Sequence, residues 1–449
     1  MDKVFHSVTL DSNKCVGCTN CIKRCPTEAI RVRDGKAQII SGRCIDCGQC
    51  IRICPHYAKR PVYDPLSVID SYKYKIALPA PALYGQFNDL DDIDIILTGL
   101  LGLGFDHVAE VSAAAELISE ATRIYMSKKG IKRPVISSAC PAVLRLIAVR
   151  FPDLCEHVLP FVSPMEAAAM IAREKARQET GLSDDDIGIF FISPCPAKVT
   201  DVKSPIGKAK SSVTGVLAIS EVFPKLASLM NKVGETEPLS QSGVIGVSWA
   251  GIGGESAALL NEQHLAADGI ENVIQVLEGL EDEKFRGLDF IELSACSGGC
   301  VGGVLTVENP YVARARVQRL RKYLPFSCSH LPTHAIPEYM NWEHSLEFSP
   351  VMELSSDITK AMKMMSEIDR ISGLLPGLDC GSCGAPSCRC LAEDIVKGGA
   401  QITDCVFILR ERIHNISTTL ASMGSNPLAS VQEKMMRMPS PMQKSDRDE

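Results

Sequence analysis

Cysteine is the residue type whose number and spacing most clearly indicate chemistry in this chain. The 449-residue sequence contains 19 cysteines, and many of them lie two or three residues from the next. This spacing suits metal chelation far better than the closure of disulfide loops. The sequence therefore predicts a metalloprotein whose thiols are kept reduced, and we expect it to be cytoplasmic.

One cysteine motif occurs twice near the N-terminus, over 15–26 and 44–55. Both copies read C-x2-C-x2-C-x3-C-P, the bacterial ferredoxin run, in which the fourth cysteine ligates the other cluster. A pair of zinc sites or a disulfide knot is the alternative, although zinc usually takes its ligands as two separated pairs. Two [4Fe-4S] clusters are predicted, the first on Cys15, Cys18, Cys21 and Cys54 and the second on Cys44, Cys47, Cys50 and Cys25.

Four more cysteines lie in three loops, and each loop follows a predicted strand. The loops are 137–141, 193–198 and 292–303. Open α/β sheets place ligand-binding loops beyond the carboxyl ends of their strands, so three such loops could offer four thiolates to one cluster. The alternative is four ordinary buried cysteines, because free cysteine is often buried. The four residues are Cys140, Cys195, Cys296 and Cys300.

These three loops resemble the three signature motifs of [FeFe]-hydrogenases, in the same order and behind the same ferredoxin-like module. The resemblance covers roughly residues 1–310, and Ala80-Pro81 resembles the family's Ala-Pro loop beside the active site. It implies that the four loop cysteines hold the cubane of an H-cluster, and that Cys300 bridges to a di-iron unit carrying CO, cyanide and a dithiolate. It also implies that Lys198 hydrogen-bonds a cyanide ligand, whereas the sequence alone would make Lys198 a surface lysine.

The chain departs from the family pattern at three positions. The first motif usually has two adjacent cysteines, the first of which gives protons to the di-iron unit, and Ala139 stands there. Ser193 and Ser294 replace two methionines that usually line the site. Losing a positioned acid–base group typically costs on the order of 10²–10⁴ in rate, and residues around a metal site tune its potential. The chain therefore resembles the sensory branch, without an attached PAS-like segment, and slow reversible H2 oxidation in an H2 or redox sensor is expected.

Two other functions remain open at this stage. One is a catalytic hydrogenase that feeds a ferredoxin pool, and Ala139 argues against it. The other is a non-catalytic relative, such as the hydrogenase-like proteins of iron–sulfur assembly, which carry similar cysteines without the di-iron unit. Lys198 and Ala80-Pro81 favour a true H-cluster over this second alternative.

A last cysteine group near the C-terminus has the spacing C-x2-C-x4-C-x16-C. It looks like the four-cysteine cluster module of several anaerobic redox proteins, with a structural zinc as the alternative. We expect a third accessory [4Fe-4S] cluster that acts as an output relay, and a helical segment over 391–405 that returns the last cysteine to it. Cys390 fits the spacing less well, and Cys155 and Cys328 lack partners. The expected ligands are Cys380, Cys383, Cys388 and Cys405.

The elements that must position these residues alternate between strand and helix from about 74 to 325, which predicts an α/β region with largely parallel sheets. The apolar runs KIALPA, PVISS, IGIFFIS, VIGVSW and LDFIEL predict strands. Ser163 with Glu166 predicts a capping box for a helix that ends at Gly181. Asp34-Gly35 predicts a hairpin turn in the N-terminal module.

The predicted fold class is α/β and α+β in several domains. These are a two-cluster ferredoxin-like domain over 1–62, an H-cluster α/β domain over 70–325, a small helical four-cysteine domain over 350–420 and a disordered tail over 425–449. The chain is 45% hydrophobic with a net charge of −7, which argues weakly against nucleic acid, and no apolar run is long enough for a membrane span. The expected partners are H2 and protons, a ferredoxin-like electron carrier or a downstream signalling protein, and a second copy of the chain in a homodimer.

Overall fold

A computed structural model of the chain describes residues 5–232, 234–333 and 335–422. Its contacts divide the chain into two compact units, Met1–Met352 and Glu353–Glu449. The tail expected to be disordered, 425–449, lies outside the described residues. Among the described helices, none has both the length and the apolar character needed to span a bilayer.

The first unit begins with a small module built around the cysteine repeat. Its outer strands pair antiparallel, with Leu10 opposite Lys59. The inner strands form a hairpin in which Asp34 and Gly35 both have positive φ, 52° and 70°, as a type I′ turn requires, so the predicted turn is confirmed. The elements are β1 (Val8–Leu10), α1 (Asn20–Lys23), β2 (Ile30–Arg33), β3 (Lys36–Ile39), α2 (Gln49–Arg52) and β4 (Lys59–Pro61).

Strands and helices alternate through the rest of the first unit. Short apolar strands are followed by amphipathic helices, and this order supports parallel sheets. The elements are β5 (Tyr74–Pro79), α3 (Asp94–Gly102), β6 (His107–Val108), α4 (Val111–Met126), β7 (Val135–Ile136), α5 (Pro141–Arg150), α6 (Pro164–Thr180), β8 (Ile187–Ser193), α7 (Pro196–Lys203), β9 (Gly215–Ala218), α8 (Ile219–Met230), α9 (Val244–Ser248), α10 (Gly254–Ala258), β10 (His264–Asp268), α11 (Ile270–Glu281), β11 (Phe290–Ser294) and α12 (Pro310–Leu320).

Two parallel sheets form the framework of this region, which confirms the prediction of largely parallel sheets. One has the strand order β6-β5-β8-β9 and the other β10-β11-β7. All seven residues of β8 are buried, because helices cover both faces of a parallel sheet. The parallel order brings the carboxyl ends of neighbouring strands to one edge, where the cysteine loops begin.

The prediction of a strand over VIGVSW is wrong, because Val244–Ser248 form the short helix α9. A short apolar run cannot be assigned to strand or buried helix from its pattern alone. Here the backbone N–H groups of Gly243 and Gly246 donate to the Glu116 carboxylate. Gly246 also packs so tightly on α4 that an added Cβ would meet the Ser112 carbonyl oxygen. These tertiary contacts hold the segment as a helix.

The predicted helix from Ser163 to Gly181 forms, but its capping box does not. Helix α6 spans Pro164–Thr180, and Gly181 ends it at φ 68°, yet the Ser163 side chain makes no cap hydrogen bond. The Glu166 carboxylate is already engaged, because it accepts from the Ser211 hydroxyl at 2.7 Å and the Ser212 N–H at 2.5 Å. Because these tertiary hydrogen bonds occupy the Glu166 carboxylate, it does not accept the hydrogen bond that a capping box requires.

Up to residue 422, the second unit forms three α-helices, α13 (Ile358–Leu374), α14 (Cys388–Val396) and α15 (Val406–Ser422). A small apolar core joins α13 and α14 around Ile368, Ile371 and Leu391. The helix expected over 391–405 stops early, since α14 ends at Val396. Gly398, at φ 78°, takes the left-handed conformation that commonly ends a helix.

Candidate metal centres

The eight cysteines of the N-terminal repeat surround two separate cavities. One cavity is lined by the first three cysteines of one copy and the last of the other, and a second cavity is lined by the reciprocal set. These are the sets that the motif spacing groups, with the fourth cysteine exchanged between copies. The sets are Cys15, Cys18, Cys21 and Cys54 at the first cavity, and Cys25, Cys44, Cys47 and Cys50 at the second.

Backbone N–H groups point at several of these sulfurs. Ala29 donates to Cys25 at 3.2 Å, and Ala58 donates to Cys54 at 3.3 Å. Burial raises the pKa of Cys54, but the N–H groups that follow it along the chain outweigh this and lower the pKa overall. Such donors favour a thiolate, the form in which cysteine binds metal.

Three strand ends position the other quartet in the first unit. Cys140 immediately precedes α5, just beyond β7, and Cys195 immediately precedes α7 at the end of β8. Cys296 and Cys300 follow β11. Gly299 between them has φ 87°, and an added Cβ would lie 2.5 Å from the Ile252 nitrogen. Glycine is therefore required for this loop to fold tightly against its neighbour.

The structure brings the four loop thiols into mutual electrostatic contact. Burial raises the pKa of Cys195 well above its usual value, and the other three thiols of the quartet raise it further. Burial likewise raises the pKa of Cys296 to about 11 and that of Cys300 to about 12, and in both cases Cys140 adds to the rise. Four thiols from three loops therefore lie close enough to act on one another, which does not fit four unrelated core cysteines.

Lys198 is not a surface lysine. It lies on α7 with its side chain 12% exposed, and its ammonium is 3.6 Å from Asp201. Within the described residues its Nζ has no hydrogen-bond partner, and it acts on Cys300 to lower the pKa of that thiol. The structure thus places a buried cation beside the sulfur expected to bridge to the di-iron unit.

The two serines that replace methionines have different surroundings. Ser193 is fully buried, and its hydroxyl donates to the Cys195 carbonyl at 2.9 Å and accepts from the Cys195 N–H at 3.2 Å. Ser294 ends β11, and its carbonyl accepts from the Gly269 N–H. Ser193 therefore fixes the backbone that carries a cysteine.

Ala139 immediately precedes Cys140, and its backbone N–H donates to the Ser137 hydroxyl at 3.1 Å. That hydroxyl donates to the buried Glu255 carboxyl at 2.6 Å. The Ala80-Pro81 loop is buried at the carboxyl end of β5, the strand that pairs with β8. The alanine and the Ala-Pro loop thus lie at the carboxyl ends of β7 and β5, as do the cysteine loops of β8 and β11.

The N-terminal module packs directly on the second and third cysteine loops. The Ser7 hydroxyl donates to the Pro196 carbonyl at 2.6 Å. Gly48 lies so close to Val304 that an added Cβ would be 2.7 Å from that side chain. Arg52 donates to the Gly302 carbonyl at 2.5 Å. The second N-terminal cavity therefore lies next to the pocket of the four loop cysteines.

In the second unit, Cys380, Cys383 and Cys405 act on one another, because burial and the other two thiols raise the pKa of Cys383. The Cys388 N–H donates to the Asp379 side chain at 2.6 Å, which ties the start of α14 to the Cys380 loop. Cys390 is 2% exposed and packs in the apolar core.

The two cysteines without expected partners lie apart from these groups. Cys155 packs among apolar side chains, where burial raises its pKa. Cys328 is exposed, and its N–H donates to Glu116.

Two cations near the cysteines were missed by sequence reasoning. Arg52 donates to the Gly302 carbonyl and lowers the pKa of nearby Cys296, a placement that no local pattern reveals because it joins two distant segments. Lys59 is 3% exposed beside the first N-terminal cavity. A signal for Lys59 did exist, because the equivalent position in the other copy of the repeat is Ile30.

These donor sets fit iron–sulfur clusters. The N-terminal quartets each line a cavity, and the donors of the loop quartet are all thiols. Among the described residues neither the Lys59 nor the Lys198 ammonium makes a hydrogen bond, although Lys198 has Asp201 as an ionic neighbour at 3.6 Å. Both lie beside thiols that become anionic when they bind metal. A buried cation needs a compensating negative charge, and an anionic cluster would supply that charge.

Comparison with protein families gives three matches along the chain. Residues 73–258 and 250–304, about half of the chain, match the model described as the iron-only hydrogenase large subunit, C-terminal domain. Residues 7–55 match a 4Fe-4S dicluster domain, and residues 375–407 match a putative Fe-S cluster family. These matches confirm the expected fold class: a ferredoxin-like module, a hydrogenase-type α/β domain and a small helical iron–sulfur domain.

Several curated proteins are similar over much of their length. The periplasmic [Fe] hydrogenase large subunit of Nitratidesulfovibrio vulgaris is 25% identical, over 67% of this chain and 86% of its own. Iron hydrogenase 1 of Clostridium pasteurianum is 23% identical, over 76% of this chain and 74% of its own. The NADP-reducing hydrogenase subunit of Solidesulfovibrio fructosivorans is 23% identical, over 66% of this chain and 56% of its own.

Solved structures of [FeFe]-hydrogenases are also similar. One that concerns oxygen inactivation of the H cluster is 18% identical with a TM-score of 0.44, over 60% of this chain and 88% of that one. One from Chlamydomonas reinhardtii is 17% identical with a TM-score of 0.43, over 56% of this chain and 84% of that one.

Proposed function

The chain belongs to the iron-only hydrogenase family, and from this we propose that it binds H2 and oxidises it slowly and reversibly at an H-cluster, acting as a sensor of H2 or of redox state. One observation carries the proposal. Four thiols from three loops lie close enough to act on one another, and the residue before Cys140, where the family usually has a proton-donating cysteine, is Ala139. The four cysteines that would bind the cluster are retained, whereas the proton-donating cysteine is replaced by alanine.

Cys140, Cys195, Cys296 and Cys300 would hold the cubane, and Cys300 would share its sulfur with the di-iron unit. When bound, that unit supplies the metal centre at which H2 is split. The loops contribute a rigid frame, because Ser193 ties the Cys195 backbone in place and the glycines of the third loop allow close approach of the chain. The loop thiols become thiolates when metal binds.

Lys198 would donate to an anionic ligand of the di-iron unit. Its ammonium is buried near Cys300 and has only Asp201, at 3.6 Å, as an ionic neighbour among the described residues. A charge-assisted hydrogen bond is among the strongest that a protein can make. This favours a true H-cluster over a hydrogenase-like protein of iron–sulfur assembly, whose site would give Lys198 no such acceptor.

Ala139 supports sensing over fast turnover. A methyl group cannot hold or release a proton, and a positioned acid–base group typically contributes on the order of 10²–10⁴ in rate. A catalytic, ferredoxin-linked hydrogenase is the alternative, and it requires another group to take over the proton transfer at this position.

Electrons released from H2 would leave through the N-terminal module, which lies against the pocket through Gly48 and Arg52. We propose two [4Fe-4S] clusters in this module and a third in the C-terminal unit, whose redox state would be read by a ferredoxin-like carrier or a signalling protein. Residence in the reducing cytoplasm is part of this proposal.

Infrared spectroscopy of the matured protein, with and without H2, tests the function. Bands from CO and cyanide that shift under H2 are expected, together with H2 oxidation well below that of a hydrogenase with the proton-donating cysteine. Absence of both kinds of band after maturation would leave only the assembly-type alternative. Bands accompanied by fast turnover would instead establish the catalytic alternative.

A further inference from the structure

Lys59 occupies a core position that is unusual for a lysine. It begins strand β4 and is 3% exposed. Its ammonium has no hydrogen-bond or ion-pair partner in the described part of the chain. Removing a charge from water costs several kcal/mol in a real protein unless an opposite charge compensates it. A group other than the surrounding residues must therefore supply the negative charge that compensates this cation.

The internal repeat shows that the fold itself does not require a lysine here. The two copies read Cys25-Pro-x-x-Ala29-Ile30 and Cys54-Pro-x-x-Ala58-Lys59. Ile30 occupies the equivalent place at 2% exposure. An aliphatic side chain therefore satisfies the same environment in one half of the module, and the other half carries a charge instead.

Lys59 faces both cysteine quartets. It lines the cavity of the first quartet, and Ala58, the residue before it, packs in one small core with Cys21 of that quartet and Cys50 of the second. Burial raises the pKa of Cys21 to about 11 and that of Cys50 to about 12, and Lys59 opposes the rise in each case. One ammonium group thus acts electrostatically on thiols that belong to two different centres.

We propose that Lys59 is the fixed positive charge shared by the two N-terminal clusters, and that it raises the reduction potential of both. Four thiolates outweigh the charge of a cubane core, so each filled quartet is an anion, and one-electron reduction makes it more negative. The potential of such a cluster follows its net charge and its surroundings. A buried cation between the quartets stabilises the reduced state of both clusters. The negative charge of the clusters in turn compensates the free-energy cost of burying that cation.

This charge also makes electrons harder to remove from the module. Electrons that reach the second N-terminal cluster from the neighbouring pocket would be retained in the module, because the same ammonium stabilises the reduced state of each cluster. The module would then remain reduced after H2 is oxidised, which suits the report of a past signal. This consequence depends on the proposed function, whereas the effect of Lys59 on the two potentials does not.

The test is a redox titration of the intact protein, followed by electron paramagnetic resonance, with the variants Lys59→Ile, Lys59→Gln and Lys59→Arg. Lys59→Ile installs the residue that the other repeat already accommodates. In Lys59→Ile and Lys59→Gln, two midpoint potentials are expected to fall while the others stay in place. Lys59→Arg should stay close to the parent protein. Lys23→Met is the matched control, because Lys23 lies in the same module but is exposed to screening solvent.

Unchanged midpoints at full iron content in the Ile and Gln variants would overturn the proposal, as would a fall no larger than that of Lys23→Met. Loss of iron from Lys59→Gln but not from Lys59→Arg would support it, because charge and not polarity would then be required. Loss from both would overturn it. The titration needs no di-iron unit, so an absence of infrared bands would defeat the proposed function without affecting this result.

Discussion

Arg52, at the end of helix α2, donates a hydrogen bond to the Gly302 carbonyl at 2.5 Å, and its guanidinium opposes the rise that burial causes in the pKa of Cys296 in the same loop. The contact joins the N-terminal module to the pocket of the four loop cysteines. Hydrogen bonds to a cluster sulfur and nearby positive charge both raise the potential of a cluster. Arg52 is therefore placed to couple the two regions electrostatically.

Replacing Arg52 is expected to lower the midpoint potential of the cubane at the loop quartet. Arg52→Gln removes the charge, whereas Arg52→Lys keeps the charge without the planar donor array. The midpoint potential of Arg52→Lys should therefore lie between those of Arg52→Gln and the parent protein. The measurement is the midpoint of that cubane in unmatured protein. Arg24→Gln is the control, because Arg24 also crosses between the module and the α/β region, through Glu271 at 2.8 Å, and both of these side chains are exposed to solvent. An equal shift in both variants would contradict a specific role for Arg52.

Restoring an acid at position 139 is expected to raise turnover. Ala139→Cys supplies a thiol next to Cys140, and the gain in H2 oxidation should reach roughly 10²-fold if proton transfer limits the rate. Ala139→Ser is the matched variant of similar size, and its weaker acid should give a smaller gain. Turnover that is unchanged or lower in Ala139→Cys, at equal intensity of the CO and cyanide bands, would show that proton delivery at this position is not the limit.

Removing the Lys198 ammonium is expected to weaken the hold on the di-iron unit. Lys198→Met keeps the length of the side chain, and losing a hydrogen bond to a charged group costs about 1.5–3 kcal/mol, or at least a tenfold weaker hold. The infrared cyanide bands should shift, and their intensity per cubane should fall. Lys203→Met on the same helix is the control, since Lys203 is more exposed and pairs with Asp64 at 3.3 Å. Spectra identical to the parent in Lys198→Met would rule out the contact.

The buried carboxyl of Glu255 predicts a pH dependence of stability. Burial raises the pKa of Glu255 from 4.5 to about 8, and the neighbouring Glu292 adds to the rise. The folded state therefore binds a proton that the unfolded state has released, so stability falls as the pH increases from about 4.5 to about 8. The effect is on the order of a few kcal/mol, since each pKa unit corresponds to about 1.4 kcal/mol.

Glu255→Gln should remove this dependence while keeping the hydrogen bond with the Ser137 hydroxyl. The thermal midpoint of the variant, measured at a fixed scan rate, should exceed that of the parent at pH 9 and should approach it at pH 5. Glu262→Gln is the control, because Glu262 is an exposed loop residue. A parent midpoint that rises between pH 6 and pH 9 relative to the Glu255→Gln variant would contradict the assigned direction.

Much of the framework followed from the sequence because the signals were local. Motif spacing grouped the N-terminal cysteines, and apolar runs such as the one over β8 marked the parallel strands. The failures were positions where a distant group decides the local structure. Glu116 holds Gly243 and Gly246 in a helix, and Ser211 with Ser212 removes Glu166 from its capping box. Sequence reasoning did not identify Arg52 for the same reason. Its role depends on the third cysteine loop, and no periodic pattern in the sequence indicates that this loop lies near it.

The C-terminal ligand set gives a direct choice between two cysteines on one helix. The Cys388 N–H is tied to Asp379 beside Cys380, whereas Cys390 is buried in the apolar core with Ile368 and Ile371. Cys388→Ala is therefore expected to lose iron, up to roughly four atoms per chain, because a cubane needs four ligands. Cys390→Ala should keep its iron and lose only packing, on the order of 1 kcal/mol. Iron and acid-labile sulfide analysis of both variants decides the matter. Iron loss in Cys390→Ala with retention in Cys388→Ala would reverse the assignment. Full retention of iron in both variants would contradict the presence of a cluster in this unit.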